Sequence, residues 1–265
     1  MKRLLSLTVC LGLAFGAYAQ GLGNRLADTD FDIELGNSQF YVAPVSYFHF
    51  GFNGLTQTDS DFAGSTRFLR SQQLGINVVE LAVRPSEALR FSLGADFRAN
   101  WYRLNKNFMW YPYDPGIMNG ENVKENGYCA GFGPFRPDIQ GVSRSTLSVL
   151  GLAFPLTFSY KFGQLTFALG AAVELNFNGV IRFKGVDYAG KPLNCTSSGK
   201  YFSNQIFTNR VTFDIHAAVS FGGLGLFAQF SPLPKFYQGI HNGKEVICGP
   251  QFQTWCVGLI LGLGM

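Results

Sequence analysis

The chain has 265 residues, a formal charge of +4, 14% charged and 15% aromatic residues, with 32 Gly and 27 Phe. No basic run or basic helix face is present, which argues against nucleic acid as a partner. Beyond residue 19 no stretch has 18 consecutive apolar residues, which argues against helical membrane spans, and the length allows one large domain or two small ones.

Met1-Lys2-Arg3 precedes an apolar run from Leu4 to Phe15, and Ala17-Tyr18-Ala19 stands before Gln20. A charged n-region, a short h-region and an A-x-A site predict a cleaved secretory signal over 1–19. The apolar run is too short for a spanning helix, which needs about 20 residues. Cys10 does not fit a lipoprotein signal, because the bulky Val9 stands where a small residue is expected. Loss of Lys2 and Arg3 with the signal lowers the formal charge from +4 to +2.

Eight strands then follow in chain order. Gln39 to Phe52 has apolar residues on both parities, so its register stays open. Ser71 to Arg84 changes parity between Leu74, Ile76, Val78 and Val79, Leu81, Val83, which a β-bulge at Val78 to Val79 reconciles. From Leu89 to Trp101, apolar residues alternate with Arg90, Ser92, Gly94, Asp96, Arg98 and Asn100. Leu150 to Tyr160 alternates as well but contains Pro155, which removes a ladder donor; a bulge or local break is expected there. Leu165 to Phe177 is the longest clean alternation, with Leu165, Phe167, Leu169, Ala171, Val173, Leu175 and Phe177 on one face. Val211 to Phe221, Leu224 to Tyr237 and Phe252 to Met265 complete the set. A soluble strand averages about 5 to 6 residues, whereas a strand tilted across a bilayer needs roughly 9 to 11.

The connections alternate in length. Pro85-Ser86-Glu87, Lys161-Phe162-Gly163 and Gly222-Gly223 are short and rich in turn residues. Asn53 to Arg70, Arg103 to Arg144, Gly179 to Thr208 and Gln238 to Gln251 are long. Short turns at one end and long loops at the other predict a transmembrane, antiparallel, up-and-down β-barrel of eight strands, with ten as an alternative count. Tyr160, Phe162 and Phe221 near the short turns, and Trp101, Tyr102, Phe177, Tyr237 and Trp255 near the long loops, read as two interfacial girdles. The domain plan is then a signal over 1–19, a periplasmic segment over 20–38 containing Asp28, Asp30, Asp32 and Glu34, and a barrel over 39–265.

The stretch Leu152-Ala153-Phe154-Pro155-Leu156-Thr157-Phe158-Ser159-Tyr160-Lys161-Phe162-Gly163, with the strand to Phe177, resembles the hairpin of PorT-like outer-membrane β-barrel families. The resemblance covers about 30 residues specifically and the remainder only in architecture. It implies an eight-stranded barrel of the general OmpA or OmpX size, often without an assigned activity. Met265 departs from the aromatic residue with which such proteins usually end and which the barrel assembly machinery recognises.

The inward parity predicts a lumen cluster of Arg90, Asp96, Arg98, Glu174, Asp214 and His216. Asp214 and His216, at i and i+2 on one face, form a candidate acid/base pair, but narrow barrels fill their interior with side chains and buried charges must pair. His49, read as near the top of strand one, and His241 are the candidates for a lipid A-modifying hydrolase at the outer leaflet; neither has a paired Ser motif, and G-x-S-x-G is absent. Four cysteines follow the signal, Cys129, Cys195, Cys248 and Cys256. Their even number suits two disulfides with three connectivities. Pairing of Cys129 with Cys195 or Cys248 is favoured because all three are read as loop residues, and their spacing argues against zinc.

Arg103 to Arg144 far exceeds the 12 to 15 residues at which structureless loops become uncommon. It carries Trp110, Tyr111, Tyr113, Phe132 and Phe135 as candidate contact residues, either for a partner or as a lid on the barrel mouth. The expectation is an exported, outer-membrane, plugged barrel of a Gram-negative bacterium, without a cofactor, acting structurally or in surface recognition. Its partners would be outer-membrane lipid and lipopolysaccharide, the barrel assembly machinery, and a protein or glycan at the loops. A narrow pore, a lipid-modifying enzyme and a soluble lipocalin-like barrel are the alternatives.

Overall fold

The computed structural model describes residues 33–35, 38–44, 46–57, 67–105, 108–113, 129–134, 139–177, 179–196, 208–233, 238–241, 244–247 and 252–263. The proposed signal segment lies outside them. The strands among these residues are β1 (Ile33–Leu35), β2 (Ser38–Pro44), β3 (Phe48–Gln57), β4 (Gln72–Arg84), β5 (Leu89–Arg103), β6 (Phe108–Tyr113), β7 (Cys129–Pro134), β8 (Ile139–Phe162), β9 (Leu165–Asn176), β10 (Val180–Asp187), β11 (Pro192–Thr196), β12 (Val211–Phe221), β13 (Gly223–Ser231), β14 (Gln238–His241), β15 (Lys244–Ile247) and β16 (Phe252–Leu263). Besides strands, the described residues hold a single 3-10 turn at Phe68–Arg70 and no α-helix.

Eight of these strands close on themselves. In order they are β3, β4, β5, β8, β9, β12, β13 and β16, with β16 pairing back onto β3, and every pair is antiparallel. Closure removes the free edges that would otherwise template aggregation. The fold is therefore an all-β, closed, eight-stranded antiparallel barrel. The short connections are Pro85 to Ala88, Gly163-Gln164 and Gly222. Gly163 and Gly222 sit at φ 61° and 58°, a left-handed backbone that glycine adopts without steric cost.

The burial pattern follows the strand period. Along β9, Thr166, Ala168, Ala172, Glu174 and Asn176 are buried, while Leu165, Phe167, Leu169, Val173 and Leu175 are exposed. The same inversion holds on β5, where Arg90, Asp96 and Arg98 are buried and Phe91, Leu93 and Phe97 are exposed. On the outer wall Leu156, Leu169 and Leu226 keep 60–62% of their surface accessible. Exposed apolar residues scattered singly are ordinary, but a continuous apolar wall around a polar interior needs an explanation.

Three local irregularities have physical causes. The register of β4 against β5 shifts between Asn77 and Val79, leaving Val78 as the extra residue of a bulge, so Val78 and Val79 both face outward while Asn77 and Glu80 both face inward. The first strand is divided into β2 and β3, which pair with the lower and upper parts of β4 respectively. The Tyr47 carbonyl in the break accepts the Asn77 N–H at 2.9 Å, and β3 then turns His49 and Asn53 inward and Phe48 and Phe50 outward. Pro155 interrupts the β5–β8 ladder between Leu93↔Leu156 and Asp96↔Ala153 without changing its register. The missing donor thus produces a gap rather than a bulge.

The long connections contain ordered sheet. β8 begins at Ile139, so Arg144 is a strand residue rather than the end of a loop; β8 rises beyond the barrel to pair with β10, which pairs with β11. β6 and β7 form one hairpin, and β14 and β15 another. At the other end β1 pairs with β2, bringing Ile33–Leu35 of the lead-in segment into the sheet.

Candidate functional site

Strand alternation delivers the six charged or titratable residues expected in the lumen to the interior. Arg90, Asp96, Arg98, Glu174 and Asp214 are each at most 4% exposed. Their partners form two groups. In the first, Arg98 sits among three carboxylates: its Nη1 lies 2.6 Å from Asp214 Oδ2 and 3.8 Å from Glu174 Oε2, and its Nη2 lies 3.3 Å from Asp96 Oδ2. Tyr47 Oη donates to both Asp96 oxygens at 2.9–3.0 Å, and Asn77 Nδ2 donates to Oδ1 at 2.7 Å. Gln229 Nε2 donates to Asp214 Oδ2 at 2.9 Å, and Ser231 Oγ donates to Oδ1.

The second group lies toward the short-turn end. Arg90 Nη2 meets Glu80 Oε2 at 2.6 Å, and the Arg90 and Arg84 guanidinium carbons stand 5.1 and 4.6 Å from the centroid of the Tyr41 ring. These are charge-assisted contacts between desolvated ions, in which neither member can be removed without stranding the other.

The acid/base pairing considered for Asp214 and His216 is not what the geometry supplies. Asp214 is engaged by Arg98, Gln229 and Ser231, whereas His216 Nε2 meets Thr157 Oγ1 at 3.1 Å. His49 also departs from expectation. It pairs in register with Gly75 and Ile260, is 5% exposed, and lies tilted against the Phe227 ring, centroids 5.1 Å apart, inside the lumen. The imidazole is thus buried inside the wall rather than displayed at its rim. The ring of His216 fits because Gly170 faces it: a Cβ there would strike the imidazole and the Leu156 carbonyl oxygen.

Cavities of about 40 Å³ and 10 Å³ remain in the lumen. The larger is lined by Tyr47, His49, Glu80, Asp96, Arg98 and His216 among others. A water needs about 10–15 Å³ of such space and two to four polar partners. A small-molecule pocket usually offers about 300–1,000 Å³. The interior is therefore a packed polar core with room for a few waters.

Among the girdle residues, Tyr160, Phe162, Phe221 and Phe177 are exposed on the outer wall, and Trp255 packs against Phe68 with ring centroids 4.9 Å apart. Tyr102 is the exception, only 2% exposed, because it shares the inward parity of Asn100 and Arg98. Tyr237 lies outside the described residues. The candidate loop residues occupy a hairpin: Trp110 pairs with Phe132 and Tyr113 with Cys129, and Tyr111 lies between them on β6. Phe135 lies outside the described residues.

The cysteines divide differently from the expectation. Cys129 and Cys195 are strand residues of β7 and β11, not loop residues, and Cys248 lies outside the described residues. Cys256 is a free thiol, buried in the lumen beside Phe227 and Ile260, because its parity on β16 points inward. It is removed from the set of disulfide candidates.

Tyr47, Glu80, Asn77, Gln229 and Ser231 belong to the lumen network without having been singled out by sequence. The bulge on β4 hides the inward parity of Glu80, and Tyr47 stands in a break where no alternation operates. No protein-family model matches the chain, and no curated protein matches it.

Proposed function

We propose that the protein is an integral outer-membrane β-barrel with a filled lumen, whose role is structural or recognitive and exercised through the sheet that rises beyond the barrel at the long-connection end. The observation that carries this reading is the continuous outer wall of exposed Leu, Phe, Val and Ile around an interior of paired charges. In water such a wall would be unfavourable by about 25 cal/mol for each Å² of apolar surface left uncovered. In a bilayer it is the favourable arrangement, and closure satisfies every strand edge that lipid cannot.

The export signal over 1–19 and the likeness of the Leu152 to Phe177 hairpin to PorT-like barrels support the same localisation. The outer wall faces lipid and lipopolysaccharide, the barrel assembly machinery inserts it, and the β6–β7, β10–β11 and β14–β15 hairpins meet a protein or glycan partner. The paired lumen charges favour a plug over a pore. Unboiled protein should run faster than boiled protein in detergent gels and should fractionate with the outer membrane. A chain that stays soluble after export, with no heat-dependent migration, would refute the reading. In intact cells, protease should cut within Arg103 to Arg144, and protection there would reverse the orientation.

A further inference from the structure

Above the apolar wall, the outward face of three neighbouring strands changes abruptly to cations. Leu150, Leu152, Phe154 and Leu156 occupy the outward parity of β8, and Phe97, Ala99 and Trp101 that of β5. Trp101 then pairs with Ser148, and one step higher Arg103, Thr146 and Arg182 form a single cross-strand row over β5, β8 and β10. The next row sets Arg144 directly opposite Lys184. Adjacent strands lie about 4.8 Å apart and alternate residues about 6.8 Å apart, so these four cations occupy a patch only about 10 Å wide.

The turn before β4 extends the patch. The Arg67 N–H donates to the Arg103 carbonyl at 2.8 Å, and the positive charges of Arg144, Arg70 and Arg67 all act on Arg103. Like charges directly opposite on a sheet are destabilising. Among the described residues none of Arg67, Arg70, Arg103, Arg144, Arg182 and Lys184 forms an ion pair; the four ion pairs found all lie in the lumen. Asp187, at the end of β10, directs its Oδ1 to the N–H groups of Ala189 and Lys191 instead. Arg144, Arg182 and Lys184 are exposed, and Arg144 Nε turns toward Thr146 Oγ1 at 3.4 Å, which leaves its terminal nitrogens directed elsewhere.

Accepting the membrane reading proposed above, on which this step rests, we infer that this cluster is a binding site for the phosphate-bearing head group of an outer-leaflet lipid. The occupant follows from continuity. The cations share a face with the apolar wall directly beneath them, so a ligand that covers both must carry acyl chains below and anionic oxygens above. Guanidinium groups suit phosphate because their fork of N–H donors matches its oxygens.

The test uses full-length folded protein in mixed micelles with diphosphorylated lipid A as probe, compared with dephosphorylated lipid A and with inorganic phosphate as competitor. The variant is the triple substitution Arg144→Gln, Arg182→Gln, Lys184→Gln. Wild type should prefer the diphosphorylated form, inorganic phosphate should not displace it, and the triple variant should lose roughly a hundredfold in apparent affinity, about fivefold per cation removed. Equal affinity of wild type for the two lipids overturns the inference even if the variant does not fold. Equal affinity of a folded variant and wild type overturns it also, as does full displacement by inorganic phosphate. Heat-modifiable migration and insertion into phosphatidylcholine vesicles are measured alongside. Their failure in the wild type would defeat the membrane reading and this inference together, whereas their success with unselective lipid binding defeats this inference alone.

Discussion

The inner and outer faces of the barrel wall are built from the same eight strands, yet they carry opposite chemistry, and the contrast is resolved residue by residue. Ala168 is 6% exposed while its neighbour Leu169 is 60% exposed; Arg98 is 3% exposed while Phe97 is 40% exposed. A soluble barrel hides its apolar residues inside. Here the charged groups are hidden and paired with one another, and the apolar ones are displayed. The two faces also differ in how they tolerate change: the lumen depends on specific partners, the wall only on hydrophobicity.

The largest way to break the contrast is from within. Arg98→Met leaves Asp96, Glu174 and Asp214 facing one another without their cation, and should cost about 3–5 kcal/mol or prevent folding, read as a fall in the urea midpoint of the detergent-folded protein. A combined Arg98→Met, Asp214→Asn, Asp96→Asn variant should recover part of that loss, because it removes two of the three stranded carboxylates with their partner; no recovery would mean that the ionic network is not the source of the effect.

Next in size is a charge on the wall. Leu169→Arg, at mid-height on β9, should cost about 2–4 kcal/mol in a bilayer. The same substitution at Tyr188, which is exposed in the turn after β10, should cost little. Equal tolerance at the two positions would mean that Leu169 faces water.

A smaller effect probes the fit of large against small in the lumen. Gly170→Ala pushes a methyl group into the His216 ring and should cost about 1–3 kcal/mol by overpacking. The double variant Gly170→Ala, His216→Ala should relieve only the part owed to the ring, because the contact with the Leu156 carbonyl remains; strictly additive losses in a double-mutant cycle would separate the two residues. The smallest signal is electrical. Planar bilayers containing the wild type should show no sustained conductance, and a steady open current would contradict a lumen filled by Arg98 and Arg90.

Much of this contrast was legible in the sequence where one rule operated alone. Leu165 to Phe177 and Leu89 to Trp101 alternate without interruption, so their faces followed directly, and the parity change on β4 announced the bulge at Val78. Legibility ended where two influences overlapped. Tyr102 is aromatic and near the long-connection end, but its parity outranks its type and turns it inward. His49 lies on a strand whose two halves pair with different parts of β4, so neither its face nor its height could be read before the break at 46–47 was known. The cation rows of Arg103, Arg144, Arg182 and Lys184 were invisible for a different reason: they come from three separate strands, all of which read as loop over this stretch, and only the register brings them together.

The most direct test of the central claim places nitroxide labels, one at a time in a cysteine-free background, at Leu156, Ala168, Leu169, Ala172 and Val257 of protein reconstituted in lipid bilayers. Collision with oxygen, which concentrates in hydrocarbon, is compared with collision with a water-soluble nickel complex. The account predicts high oxygen and low nickel accessibility at Leu156, Leu169 and Val257, and low accessibility to both at Ala168 and Ala172. Nickel accessibility at the first three positions matching that of an exposed turn residue such as Gln164 would contradict it.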